Sequence, residues 1–190
     1  MSVLDIARLG HPILRKIAEP VDLVELTAPG ENDLQRLIDD MTDTMRAEEG
    51  VGIAAPQVAR SLQILVIEYQ HNERYPSEED IPLTVYVNPV ITWSSEATGS
   101  FWEGCLSLKD LRGLVTRPLE VTVEAYSRQG EKMVVEADGF LAVVLQHEID
   151  HLLGKVFIDR MADFTQLAFV EEWQTYWKKH ESAENPEEAL

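Results

Sequence analysis

Gln146-His147-Glu148-Ile149-Asp150-His151-Leu152-Leu153-Gly154 is the stretch on which the reading of this chain turns. His147 and His151 are four residues apart. On a helix, residues so spaced share a face and stand about 6 Å apart along the axis. Two imidazoles placed this way can grip one metal ion, and the glutamate between them can work on water at that ion. Leu141, Val144, Leu145, Ile149, Leu152 and Leu153 surround the pair with apolar surface, which predicts a buried helix. Gly154 and Lys155 mark its end. Two acids in such a helix, Glu148 and Asp150, need partners of their own.

Two histidines do not complete a site. A catalytic divalent ion takes three protein ligands and keeps a fourth position for water. Cys105, an acid and His11 are the candidates for the third. Cys105 is the strongest, being the single cysteine and following a glycine. A metal-bound thiol is deprotonated by the ion itself. With that set, Glu148 is the proton acceptor and the attacked group is a carbonyl whose oxygen becomes negative. That oxyanion needs donors. The Gln57 amide and the backbone N–H of Leu106 suit the task. Metal-assisted hydrolysis of an amide follows, and a small metalloprotease would read the same way.

The rest of the chain supports one α+β unit. It has 190 residues, 45% of them hydrophobic and 26% charged, enough for a single substantial core. The net charge of −18 opposes general nucleic-acid binding, which needs a basic surface. One cysteine excludes an internal disulfide and fits a reducing cytoplasm. The first residues lack a signal peptide's basic and apolar regions, Ser2 rules out myristoylation, and no apolar run is long enough to span a membrane.

Gly10, Pro12 and Pro20 predict a wrapping segment over residues 3–21, with His11 as a loop residue. Asn32 is the expected N-cap of a helix from Asp33 to Glu48, with Leu34, Leu37, Ile38, Met41 and Met45 facing the core. Strands are expected over Gln63–Glu68, Thr84–Val90, Glu120–Tyr126 and Lys132–Ala137, the last two joined through Gln129-Gly130. Pro89 suggests an end or an edge. Residues 70–82 read as a polar loop and 96–100 as a turn, and a break is expected at Pro118. A terminal helix is expected from Asp163 to Lys179, carrying Leu167, Val170, Trp173, Tyr176 and Trp177. The predicted architecture is α+β: antiparallel or mixed sheets around a central metal-binding helix, with an early and a C-terminal helix. Residues 1–180 form the expected domain, and 181–190 an acidic tail.

Three blocks stand in order: Gly50-Val51-Gly52-Ile53-Ala54-Ala55-Pro56-Gln57, Glu103-Gly104-Cys105-Leu106-Ser107, and Gln146 to His151. Together they resemble the peptide deformylases of bacteria, and the likeness spans nearly the whole chain apart from the tail. The resemblance implies hydrolysis of the formyl amide on N-formylmethionyl nascent peptides, with release of formate. It implies Cys105, His147 and His151 as metal ligands, Glu148 as acid and base, and Gln57 with the Leu106 amide as holders of the formyl oxygen. Val51, Gly52 and Gly104 are expected along the substrate, Val143 and Val144 around its methionine side chain, and Arg112 near the site, paired with Glu103. One divalent ion is implied, Fe(II) in the cell and zinc or nickel in purified protein. The cysteine block departs from the family in carrying Leu108-Lys109 where a hydrophobic residue and proline are common. A helix that docks on the ribosome is expected to be basic, whereas this C-terminus is acidic. A monomer is the default expectation. A metalloprotease of other specificity and an idle relative that binds peptide N-termini are the alternatives.

Overall fold

The computed structural model describes residues 2–70 and 80–178. Its elements run as α1 (Leu23–Leu26), α2 (Asp33–Ala47), β1 (Gly52–Ala54), β2 (Ile64–Tyr69), β3 (Ile81–Ser94), β4 (Thr98–Glu103), β5 (Leu111–Pro118), β6 (Glu120–Tyr126), β7 (Lys132–Asp138), α3 (Gly139–Leu152), β8 (Leu167–Phe169) and α4 (Val170–Tyr176). Five strands form one sheet in the order β1-β2-β3-β6-β7, and three form a second in the order β4-β5-β8. The pairings between these strands are antiparallel.

The larger sheet is covered on both faces, which is why β2 reads as an unbroken apolar run instead of alternating. Alternate residues of β2 part to the two sides. Ile64 and Val66 join Leu34, Leu37, Ile38, Met41 and Met45 of α2. Leu65 and Ile67 join Ala142, Val144, Leu145, Ile149 and Leu152 of α3. Each of these side chains larger than alanine contributes about 1.5–3 kcal/mol on burial. The stripe foreseen on α2 is the one that packs. Asn32 caps that helix as expected, its Oδ1 accepting from the Leu34 and Gln35 amides at 2.9 and 3.2 Å. The solvated end of α3's apolar set is Leu153, which is exposed, because it lies past the last turn.

The N-terminal segment wraps the site as predicted. Ala7 donates to the Gln57 carbonyl at 2.7 Å, Leu9 to Ser107 at 3.0 Å and Ala18 to Leu152 at 2.8 Å. The segment thereby ties the three blocks together. Gly154 ends α3 at φ 71°, and a Cβ there would stand 2.9 Å from the carbonyl carbon of Arg15, so only glycine lets the wrap pass. His11 is exposed and its Nδ1 accepts from the Ile13 amide, a loop role.

Several boundaries differ from the sequence reading. β3 continues past Pro89 to Ser94, because a bulge between Val87 and Val90, with Asn88 at φ 50°, places the proline where the ladder shifts register. It also begins at Ile81, inside the expected loop. The turn expected over 96–100 gives way to strand β4 at Thr98, and the residues leading to the expected break at Pro118 form strand β5, which ends there. The terminal helix expected from Asp163 is shorter: a 3-10 turn, Phe164–Gln166, and then β8 pairing with β5 precede α4. Tyr176 is accordingly exposed and is not part of a core stripe. Most of the polar loop at 70–82 and the whole acidic tail lie outside the described residues.

Candidate metal centre

Ligand atoms of Cys105, His147 and His151 lie within 4.8 Å of one another, the group of metal-holding type found among the described residues. Two elements bring them together. α3 carries both histidines on one face. Cys105 follows β4 in extended backbone and caps the 3-10 turn Leu106–Leu108. The Cys105 sulfur is 3.3 Å from His151 Nε2. Around a tetrahedral ion, sulfur and nitrogen ligands stand about 3.6 Å apart, so the donor set fits one divalent cation.

The surroundings orient this set. His147 Nδ1 meets Glu103 Oε2 at 2.7 Å, which turns its other nitrogen toward the sulfur. Glu103 in turn accepts from Arg117 Nε at 2.6 Å and Nη2 at 3.0 Å. Arg117 Nη1 donates to Asp150 at 2.8 Å, and Arg160 reaches Asp150 from the surface side. The second acid of α3 thus has two guanidinium partners, answering the need that its apolar setting imposes. Burial opposes ionisation of Glu103, yet hydrogen bonds from His147 and Arg117 outweigh it and hold the carboxyl at about 2. His147 is likewise raised against burial by its contacts with Cys105 and Glu103. His151 is driven well down, first by burial and then by the charge of His147, and stays neutral as a ligand must.

Glu148 has a different environment. Burial lifts its carboxyl to about 7, with His147 opposing. Its Oε2 has no hydrogen-bond partner among the described residues. The carboxylate rests on Gly52 of β1, where a Cβ would come within 2.6 Å of Oε1. The glycine makes room for the acid. Gln57 is also fixed: Oε1 accepts from the Ala54 amide at 2.8 Å, which leaves Nε2 facing the Cys105 sulfur at 3.4 Å. Leu106 is the first residue of its 3-10 turn, where N–H groups have no partner within the turn.

The remaining residues singled out by sequence fall as follows. Val51 precedes β1, accepts from the Glu68 amide and packs on the core. Gly104 lies under Arg112, since a Cβ there would be 2.3 Å from Nη1. Val143 and Val144 are buried on α3, the latter within the main core cluster. The pairing of Arg112 with Glu103 is corrected: Arg117 is the partner, and Arg112 donates to the Leu111 carbonyl at 2.8 Å. On β5 these two arginines are an odd number apart and face opposite sides of the sheet. Arg117 itself went unnoticed, although Gly113, Val115 and Arg117 alternate inward.

Two imidazoles and a cysteine sulfur within ligating reach of one another, a buried carboxyl poised near neutrality and an amide donor at the sulfur define a metal-dependent hydrolase of amides. Comparison with known proteins narrows the class. The model of the polypeptide deformylase family matches residues 3–166. Peptide deformylase 2 of Pseudomonas putida is 43% identical over 169 residues, covering 89% of this chain and 93% of that protein. A peptide deformylase of Syntrophobacter fumaroxidans is 40% identical over 179 residues, covering 94% and 98%. The Met-Ala-Ser-bound crystal structure of the class I type b peptide deformylase of Acinetobacter baumannii superposes with a TM-score of 0.80 at 42% identity, covering 85% of this chain and all of that one. The chain belongs to the polypeptide deformylase family.

Proposed function

We propose that this chain removes the formyl group from N-formylmethionine at the start of newly made polypeptides, releasing formate and a free amine. The observation that carries the reading is the meeting of Cys105, His147 and His151 beside a buried Glu148. Membership of the family supports it, as does the Met-Ala-Ser tripeptide held by the Acinetobacter relative. One divalent ion held by Cys105, His147 and His151 supplies, when bound, a positive charge that acidifies water and draws electron density from a carbonyl oxygen.

The protein's own groups do the rest. Glu148 takes a proton from the attacking water and hands it to the leaving amine, a role suited to a carboxyl near 7. Water oxygen bonds to the formyl carbon, the carbon–nitrogen bond breaks, and the amine leaves neutral. Gln57 Nε2 and the Leu106 amide receive the formyl oxygen as its charge grows. Glu103, held by Arg117, keeps His147 in the tautomer that presents its other nitrogen. Val51, Gly52 and Gly104 offer backbone along the peptide, Val143 and Val144 contact the methionine side chain, and Arg112 lies beside the path of the residues that follow. Iron(II) is the proposed ion in the cell, with zinc or nickel able to replace it, since this donor set accepts all three. Residues 1–180 act as one catalytic unit, as a monomer in the cytoplasm, where formylated chains emerge.

Formate release from a formyl-methionyl peptide tests the reading. Glu148→Gln should lower kcat by at least about a thousandfold while metal content stays at one ion per chain. No formate from metal-replete wild-type protein would remove the proposal, and cleavage of internal peptide bonds would favour a protease.

A further inference from the structure

α4 lies over the outer face of the small sheet, in contact with Trp102 of β4 and Arg112 of β5. The inner face of β5 carries Gly113, Val115 and Arg117, turned toward the metal centre. The outer face carries Arg112 and Leu114, with Trp102 opposite Leu114 on β4. Trp102 packs against Trp173 and Trp177 at ring distances of 6.3 and 5.4 Å. The Trp173 ring also meets two cations, Arg112 at 5.8 Å and Lys178 at 5.7 Å. On its other side the Arg112 guanidinium presses on Gly104, the residue before Cys105. Trp173 of α4 and the cysteine block therefore hold one guanidinium between them.

The indole N–H of Trp173 is buried and has no acceptor among the described residues. Burying an unpaired donor is unfavourable. Phenylalanine would avoid it, so hydrogen bonding does not explain a tryptophan here. Tryptophan is instead the ring that attracts a guanidinium most strongly.

We propose that Trp173 is a positioning residue, which holds the Arg112 guanidinium against Gly104 so that it meets the peptide beyond the formylmethionyl residue. α4 is then part of the substrate wall, acting on longer peptides and leaving the reacting carbonyl alone. The proposal rests on Arg112 lying beside the substrate, which is part of the function proposed above.

The test compares two substrates, N-formyl-Met-Ala-Ser and N-formylmethionine amide, on metal-loaded enzyme. Trp173→Ala should raise KM for the tripeptide about fivefold, the scale of one cation–π contact, and leave kcat and the KM of the amide within twofold. Trp173→Phe should restore the tripeptide KM to within twofold, whereas Trp173→Leu, which keeps apolar bulk without a ring, should behave as alanine does. Leucine equal to phenylalanine, or equal effects on both substrates, would reduce Trp173 to packing and overturn the proposal. If Trp173→Ala does not fold, the Leu and Phe pair decides alone. Arg112→Ala separates the two layers of argument. A raised tripeptide KM in Arg112→Ala with none in Trp173→Leu sinks only the role of Trp173. An unchanged KM in Arg112→Ala removes the substrate contact and the proposal with it. Formate release by the unsubstituted enzyme stands apart from both.

Discussion

Gly52→Ala places one methyl group where the carboxylate of Glu148, the proposed acid and base, now lies. The backbone of Gly52 is strand β1, which alanine adopts readily, so the obstacle is space and not conformation. The new Cβ would stand 2.6 Å from Glu148 Oε1, 2.8 Å from Cγ and 2.9 Å from Cδ, where ordinary contact begins at 3.4 Å. The carboxylate must retreat by about 0.8 Å, the difference between the last and the first of these distances. It is anchored on α3 and buried, so the retreat turns it away from the water it is proposed to deprotonate. Misplacing a reacting group by about 1 Å costs on the order of a hundredfold in rate. We therefore expect kcat for formate release to fall about a hundredfold, equivalent to ~2.7 kcal/mol of barrier. Metal content should be unchanged, because the three atoms nearest the new methyl all belong to Glu148. Gly50→Ala is the control: its Cβ would meet the flexible end of Leu106 at 3.0 Å, and the loss should stay below about tenfold. A Gly52→Ala enzyme with kcat within threefold of wild type would refute the claim that this glycine exists to seat Glu148.

Three further outcomes follow from the buried ion network and the donor set. Arg117→Met leaves Glu103 and Asp150 short of a buried partner, and should cost about 3–5 kcal/mol in urea unfolding and weaken metal retention about 10–100-fold; Arg117→Lys should not rescue it, lacking the fork that grips both carboxylates. For the metal-free protein, Glu103 is depressed from 4.5 to about 2, so its contribution is fully present above 4.5 and is lost as pH falls toward 2. The stability difference between wild type and Glu103→Gln should shrink by about 2 kcal/mol from pH 6 to pH 3, and a pH-independent difference would contradict the pairing. Removing the metal with a chelator should abolish formate release and lower the melting temperature by ~10 °C, the equivalent of about 4 kcal/mol when free ion exceeds Kd a thousandfold, and an unchanged melt would argue against binding at a folded site.

The parts of the fold that were legible in sequence are those whose signal is local. α2 announces itself through an apolar stripe and a capping asparagine, and the β6–β7 hairpin through alternation around a glycine turn. α3 was legible because two histidines four apart require a helix to be useful. β4 and β5 were not, since their apolar alternation is broken by Glu103, Arg112 and Arg117, charges whose partners lie on other strands and helices. A buried ion pair looks like surface in one dimension. The C-terminus misled for a related reason: the Leu167–Phe169 run is compatible with helix or strand, and only the free edge of β5 decides between them.

The same logic separates what could and could not be inferred about the site. Side chains able to hold such an ion are few and chemically distinctive, so Cys105, His147 and His151 stood out by type. Glu148, Gln57 and Gly52 lie in or beside the same blocks. Arg117 has neither advantage. Its importance comes from desolvation: Glu103 must remain charged to hold a proton on His147 Nδ1, yet burial pushes the carboxyl toward its neutral form. A second cation is the remedy, and it has to come from whichever strand flanks β4. Register puts Gly113 opposite Glu103, and parity then selects Arg117 from the inward set while excluding Arg112. Any sequence that keeps a glutamate immediately before a metal-binding Gly-Cys pair should therefore carry an arginine on the inward face of the next strand. Exchanging Glu103 and Arg117 for an apolar pair should keep the fold while letting the His147 ring turn, a loss visible in metal affinity before it is visible in stability.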